Sequence, residues 1–110
     1  MLFRSLVKVV KRAIEITPVD FVVVEGLRTK SRQAYLLDAG KSRTMNSYHL
    51  TGHAVDIAPI VDGKVSWDWK FFHPMAAAMQ KAADELDVKL TWGGSWKTFP
   101  DGPHFQIDRS

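Results

Sequence analysis

The sequence predicts a small α+β domain, a mostly antiparallel sheet with helices packed on one face. Three observations lead there. Leu2, Leu6, Val9, Ala13 and Ile16 recur at helical spacing, and Phe72, Met75, Met79, Ala82 and Leu86 do so again. Short runs at residues 21–24, 54–60, 89–92 and 103–108 are rich in β-branched or aromatic residues or alternate in polarity. Val61-Asp62-Gly63-Lys64 carries the turn chemistry of a hairpin, which makes the strands on either side of it antiparallel neighbours.

Taken in order, the first helix packs its apolar stripe inward, exposes Arg4, Lys8, Lys11 and Arg12, and ends at Pro18. Phe21-Val22-Val23-Val24 suits a buried strand, and Gly26 turns the chain so that Arg28 lies at that strand's end. Residues 31–39 form a short helix closed by Gly40, and the polar stretch 41–46 leads into His49. Strand 54–60 then turns at Asp62-Gly63 into strand 64–67. The second amphipathic helix follows, and strands 89–92 and 103–108 complete the sheet.

At 110 residues the chain is expected to be one domain, residues 1–110, burying well under ~70% of the surface its unfolded chain exposes. A hydrophobic fraction of 45% with four Trp argues against disorder. Absence of cysteine excludes disulfides and thiolate metal sites, leaving His and Asp as the metal-binding types. The net charge of +3 favours anionic partners, but no nucleic-acid-binding motif accompanies it. Lys8, Lys11 and Arg12 interrupt the apolar N-terminal run, so neither a secretory signal nor membrane insertion is expected. A monomer made in a cytoplasm is the expectation.

The chemistry concentrates in Ser47-Tyr48-His49-Leu50-Thr51-Gly52-His53-Ala54-Val55-Asp56 and Asp101-Gly102-Pro103-His104-Phe105-Gln106. His49, Asp56 and His104 offer two imidazoles and a carboxylate, a set that leaves a fourth tetrahedral position of zinc open to water. Asp101 is then free to move protons. In a strand, Val55 and Ile57 face one side and Ala54, Asp56 and Ala58 the other, while His104 and Gln106 oppose Phe105 and Ile107. Two neighbouring strands can therefore bury their apolar sides and present Asp56 and His104 together. His49 and His53 have the i,i+4 spacing of a zinc-binding helix, but Thr51-Gly52 is a poor helix interior, so His53 is placed behind the ligands rather than among them.

These residues resemble the zinc metallopeptidases of the D-alanyl-D-alanine carboxypeptidase type, with their Hedgehog and lysostaphin-like fold, whose pattern is Ser-x-His-x-x-Gly-x-Ala-x-Asp. Ser47, His49, Gly52, Ala54 and Asp56 match it, and Asp101 and His104 supply the family's acid-x-x-His. A closer resemblance is to phage endolysins that act as L-alanyl-D-glutamate endopeptidases, which share Glu25-Gly26-Leu27-Arg28-Thr29, the pair Arg32-Gln33, and Trp92-Gly93-Gly94-Ser95-Trp96. The resemblance implies that His49, Asp56 and His104 bind Zn2+, that Asp101 is the general base and acid, and that Arg28 contacts substrate or the developing oxyanion. Ser47, Gln33, His53 and Trp96 would reach substrate or support the ligands. The implied activity is hydrolysis of the L-Ala–D-Glu bond of bacterial peptidoglycan by an enzyme that reaches the wall after membrane permeabilisation, with no separate wall-binding domain. Such endolysins usually carry a further N-terminal stretch, so a compact or trimmed start is expected.

Other readings of the same residues are retained. Asp101 also suits the turn before Gly102-Pro103, Arg28 an ion pair with Glu25 or Asp38, and Ser47 a turn cap. Trp92 is expected to pack in the core, whereas Trp96 suits either core or groove. The competing functions are D-alanyl-D-alanine carboxypeptidase or dipeptidase activity, a non-catalytic binding module on the zinc fold, and a basic nucleic-acid binder.

Overall fold

The computed structural model describes residues 3–25, 48, 52–96 and 100–107. Helix α1 (Arg4–Ile16) buries Leu6, Val9 and Ala13. Thr17 is already extended, with φ −69° and ψ 136°, because a residue before proline is pushed out of the helical region. Strand β1 (Phe21–Glu25) follows. Strand β2 (Ala54–Val61) turns through Asp62 and Gly63, whose φ values of 53° and 78° are the left-handed pair of a tight hairpin, into the two-residue strand β3 (Lys64–Val65). The expected strand 64–67 is thus shorter. The predicted helix at 31–39 and the loop at 41–46 lie outside the described residues.

Helix α2 (Trp69–Glu85) starts earlier than its apolar stripe suggests, because the Asp68 carboxylate caps it by accepting from the Lys70 amide at 3.1 Å. It stops with the Val88 amide donating to Ala83 O at 2.8 Å and Asp87 in the left-handed region at φ 55°. Leu86 therefore falls at the cap, 40% exposed, and not in the buried stripe. Strand β4 (Leu90–Trp92), a 3-10 turn (Gly93–Ser95) and strand β5 (His104–Ile107) close the described chain.

The sheet order is β1-β2-β5-β4, every pairing antiparallel, with β3 off the end of β2. Val55, Ile57, Phe105 and Ile107 point from the central strands into a core shared with Leu6, Val9 and Ala13 of α1 and Phe72, Met75, Met79, Ala82 and Ala83 of α2. Both helices thus cover one face, as the two apolar stripes require. One expectation needs correcting. β1 is an edge strand among the described elements, with Val22, Val23 and Val24 between 39% and 46% exposed, because only β2 pairs with it. The opposite face of β2 is also covered at Ala54 and Ala58, both fully buried. No helix among the described residues is long and apolar enough to cross a membrane.

This packing predicts unequal costs for truncation along the sheet. Phe105→Ala empties a fully buried ring site facing both helices and should cost about 3–5 kcal/mol, whereas Val23→Thr, at a position 45% exposed, should stay within about 0.5 kcal/mol. Urea unfolding midpoints of the two variants check this.

Candidate functional site

The site is built on the pairing of β2 with β5, where Asp56 lies directly opposite His104. The Ile57 amide donates to Pro103 O at 3.0 Å and the Ile107 amide to His53 O at 2.9 Å. Asp56–His104 and Ala54–Gln106 are therefore the non-hydrogen-bonded pairs of the ladder, in which facing side chains approach closest. All four project from the face opposite the helices, since Val55, Ile57, Phe105 and Ile107 take the core face.

His104 Nδ1 lies 3.3 Å from Asp56 Oδ1, and its Nε2 lies 2.8 Å from Gln106 Oε1. His104 is 7% exposed and the ring of Trp96 sits beside its imidazole, centroids 5.2 Å apart. Burial opposes protonation of His104, but hydrogen bonds with Asp56 and Gln106 and the charges of Asp56 and Asp101 outweigh it, so its pKa is raised above the ordinary 6.5.

Asp101 joins this pair from the turn before β5. Donor atoms of Asp56, Asp101 and His104 all lie within 4.8 Å of one another. The Asp101 amide donates to Gly93 O at 3.0 Å, and Asp101 O accepts from the His104 amide at 3.2 Å. The turn role and the site role of Asp101 are thus compatible, because its backbone makes the turn while its carboxylate reaches the cluster. A Cβ on Gly93 would sit 2.5 Å from Asp101 O and 3.0 Å from His104 Cβ, so only glycine lets the 3-10 turn pass this close. Trp92 Nε1 donates to Gly102 O at 2.7 Å, and the Trp92 ring stacks on Phe105 at 6.3 Å. Trp92 is therefore a packing residue that also ties down the turn.

His53 is 8% exposed, with its ring 3.9 Å from that of Phe3 and 6.3 Å from that of Tyr48. Its amide donates to Tyr48 O at 3.0 Å. It stands at the entry to β2, outside the close cluster of Asp56, Asp101 and His104. Four candidate residues, His49, Arg28, Ser47 and Gln33, lie outside the described residues. Reading the sequence for function passed over Gly93 and Gln106. The signal for Gln106 was present, two residues from His104 on the same strand face, but only the structure puts its amide on the imidazole.

With this geometry in view, the comparisons with known proteins are decisive for kinship. Residues 2–109 match the family model described as phage L-alanyl-D-glutamate peptidase. The chain belongs to that family. It is 38% identical over 109 residues to the L-alanyl-D-glutamate peptidase of Escherichia phage T5, spanning 96% of this chain and 79% of that protein. The crystal structure of the Serratia marcescens L-Ala D-Glu endopeptidase ChiX superposes with a TM-score of 0.94 at 45% identity, covering 97% of this chain and 80% of that one. The vancomycin resistance D,D-dipeptidase VanXYg, in complex with a D-Ala-D-Ala phosphinate analog, shares the fold, with a TM-score of 0.57 at 16% identity over 96% of this chain and 50% of that one.

The donors present fit a metal ion. Two ligands each about 2.0–2.1 Å from a tetrahedral zinc lie about 3.3 Å apart, and the Asp56 Oδ1 to His104 Nδ1 distance is 3.3 Å. Asp101, within 4.8 Å of both, is near enough to reach a water beside such an ion. The far nitrogen of His104 already has its partner in Gln106, the arrangement usual for a metal-binding histidine.

Two outcomes follow from this site. Gly93→Ala must push the Asp101 turn or His104 aside, costing about 1–3 kcal/mol as overpacking does, and should lower peptidase activity further than stability alone explains. Gly63→Asn, at a left-handed position with open space around it, should leave both near wild type; thermal melts and activity assays on the two variants separate site damage from general strain. The second outcome concerns metal-free protein. Because the folded state raises the His104 pKa, the stabilisation from its contact with Asp56 is fully present below pH 6.5 and is lost as the pH climbs through the raised value. The stability gap between wild type and His104→Gln in metal-free protein should therefore narrow as pH rises from 6 towards 9.

Proposed function

We propose that this chain is a zinc-dependent peptidoglycan peptidase that hydrolyses the L-Ala–D-Glu bond of stem peptides, with residues 1–110 acting as one catalytic domain and host lysis as its role. The observation that carries the reading is the meeting of Asp56, Asp101 and His104 on one sheet face in a chain of the L-alanyl-D-glutamate peptidase family.

In this reading His49, Asp56 and His104 hold the ion. Zinc, when bound, lowers the pKa of a water toward about 7 and polarises the scissile carbonyl. Asp101 accepts the proton of the attacking water and returns it to the leaving amine, a transfer its place beside Asp56 and His104 allows. Arg28 supplies fixed positive charge to the oxyanion or to a substrate carboxylate, a term worth a few kcal/mol of barrier (~2.7–4 for a comparable donor). Trp96, its ring 5.2 Å from that of His104, would line the side of a substrate groove. Ser47, Gln33 and His53 complete the surroundings, with His53 acting on the β2 entry rather than on the ion.

Mass analysis of digested peptidoglycan tests the bond. New N-terminal D-Glu is the expected product; release of D-Ala would instead indicate a carboxypeptidase, and no new termini a binding module. Asp101→Asn should keep zinc and fold while turnover drops about 10²–10⁴-fold, since the amide cannot take up the water proton. His104→Ala should lose zinc as well as activity, and an His104→Ala protein with full metal content would remove His104 from the ligand set.

A further inference from the structure

We propose that Gln106 is a positioning residue that fixes which nitrogen of His104 faces the metal. The inference rests on the metal reading above and extends it to a residue with no assigned role. A neutral imidazole carries one proton, and the nitrogen that binds a metal must be the bare one. Gln106 Oε1 stands 2.8 Å from Nε2, so Nε2–H donates to it and Nδ1 is left to point at Asp56 and the cluster.

The fold makes this contact specific. His104 and Gln106 are two apart on β5 and share a face, which puts the glutamine side chain beside the imidazole. Across β2, the residue opposite Gln106 is Ala54, fully buried, in a pair where facing side chains come closest. A larger residue at 54 would compete with the Gln106 amide for that space. The imidazole is thereby held on each side. Asp56 lies at Nδ1, Gln106 at Nε2, the Trp96 ring tilted beside it, and Gly93 behind Cβ. Gln106 distinguishes Nε2 from Nδ1 by accepting a hydrogen bond from Nε2–H. Its neutral amide does so without adding a charge to a site that already gathers two carboxylates.

Zinc affinity by chelator competition on the full chain tests this, alongside long-range proton–nitrogen NMR of the zinc-loaded wild type. Gln106→Leu should bind zinc about 10–100-fold more weakly, the usual loss when the partner of a ligating histidine is removed, with its metal-free melting temperature close to wild type. Gln106→Glu keeps an acceptor at the same reach and should restore most of the affinity. In the wild type, His104 Nε2 should carry a slowly exchanging proton and Nδ1 should be the metal-bound nitrogen. Zinc affinity of Gln106→Leu within twofold of wild type, or a metal-bound Nε2, would overturn the proposal and leave the metal reading standing. A wild-type chain that takes up no zinc overturns both. Should Gln106→Leu fail to fold, the wild-type spectrum and the Gln106→Glu affinity decide alone.

Discussion

The register of β2 against β5 is the constraint on which the site depends. Asp56 meets His104 because Ala54, Val55 and Asp56 pair with Gln106, Phe105 and His104 in that order. A slip of β2 by one residue would carry Asp56 to the core face, away from His104, and expose Val55 and Ile57, which are fully buried. The register is thus enforced from the face that does no chemistry. Each buried aliphatic or aromatic residue there contributes roughly 1.5–3 kcal/mol on leaving water, so α1 and α2 hold Asp56 opposite His104 from the far face of the sheet.

A second constraint places the acid. Asp101 belongs to no strand, and its position comes from the Gly93 carbonyl, the His104 amide and the Trp92 indole on Gly102 O. A Cβ on Gly102 would approach the Phe72 ring at 3.2 Å, so α2 bears directly on the turn. The Trp92-Gly93-Gly94 segment is thereby explained in physical terms. The indole anchors the turn, Gly93 passes beneath Asp101, and Gly94 leaves room for the Trp92 ring, which an added Cβ would meet at 2.3 Å.

The N-terminal helix also bears on the site from a distance. The Phe3 amide donates to Gly52 O at 3.1 Å and the Phe3 ring lies against His53, at the point where the chain enters β2. Gly52 itself has φ 78°, a conformation that glycine adopts without penalty. The glycine of the Ser-x-His-x-x-Gly-x-Ala-x-Asp pattern therefore sets the direction in which β2 sets out, and its alanine, opposite Gln106, clears the space beside His104.

By itself the sequence determined the elements with strong periodicity, the two helices, the antiparallel hairpin at Asp62-Gly63 and the facing of Asp56 and His104 away from the apolar sides of their strands, because period-2 and period-3.6 patterns record which side of each element meets water. It also determined family kinship, since Ser47, His49, Gly52, Ala54 and Asp56 match one pattern and Asp101 and His104 the acid-x-x-His that follows it. What it could not determine were relations between segments distant in the chain. The run Phe21-Val22-Val23-Val24 reads as a buried strand, yet its place at the edge of the described sheet depends on which strands pair, not on its own residues. Likewise the closeness of Gly93 to Asp101, the capping of α2 at Asp68, and the contact of Gln106 with His104 were decided only in the tertiary structure. Each is set by distances of a few ångströms between backbones or side chains, and a linear pattern of polarity carries no information about such distances.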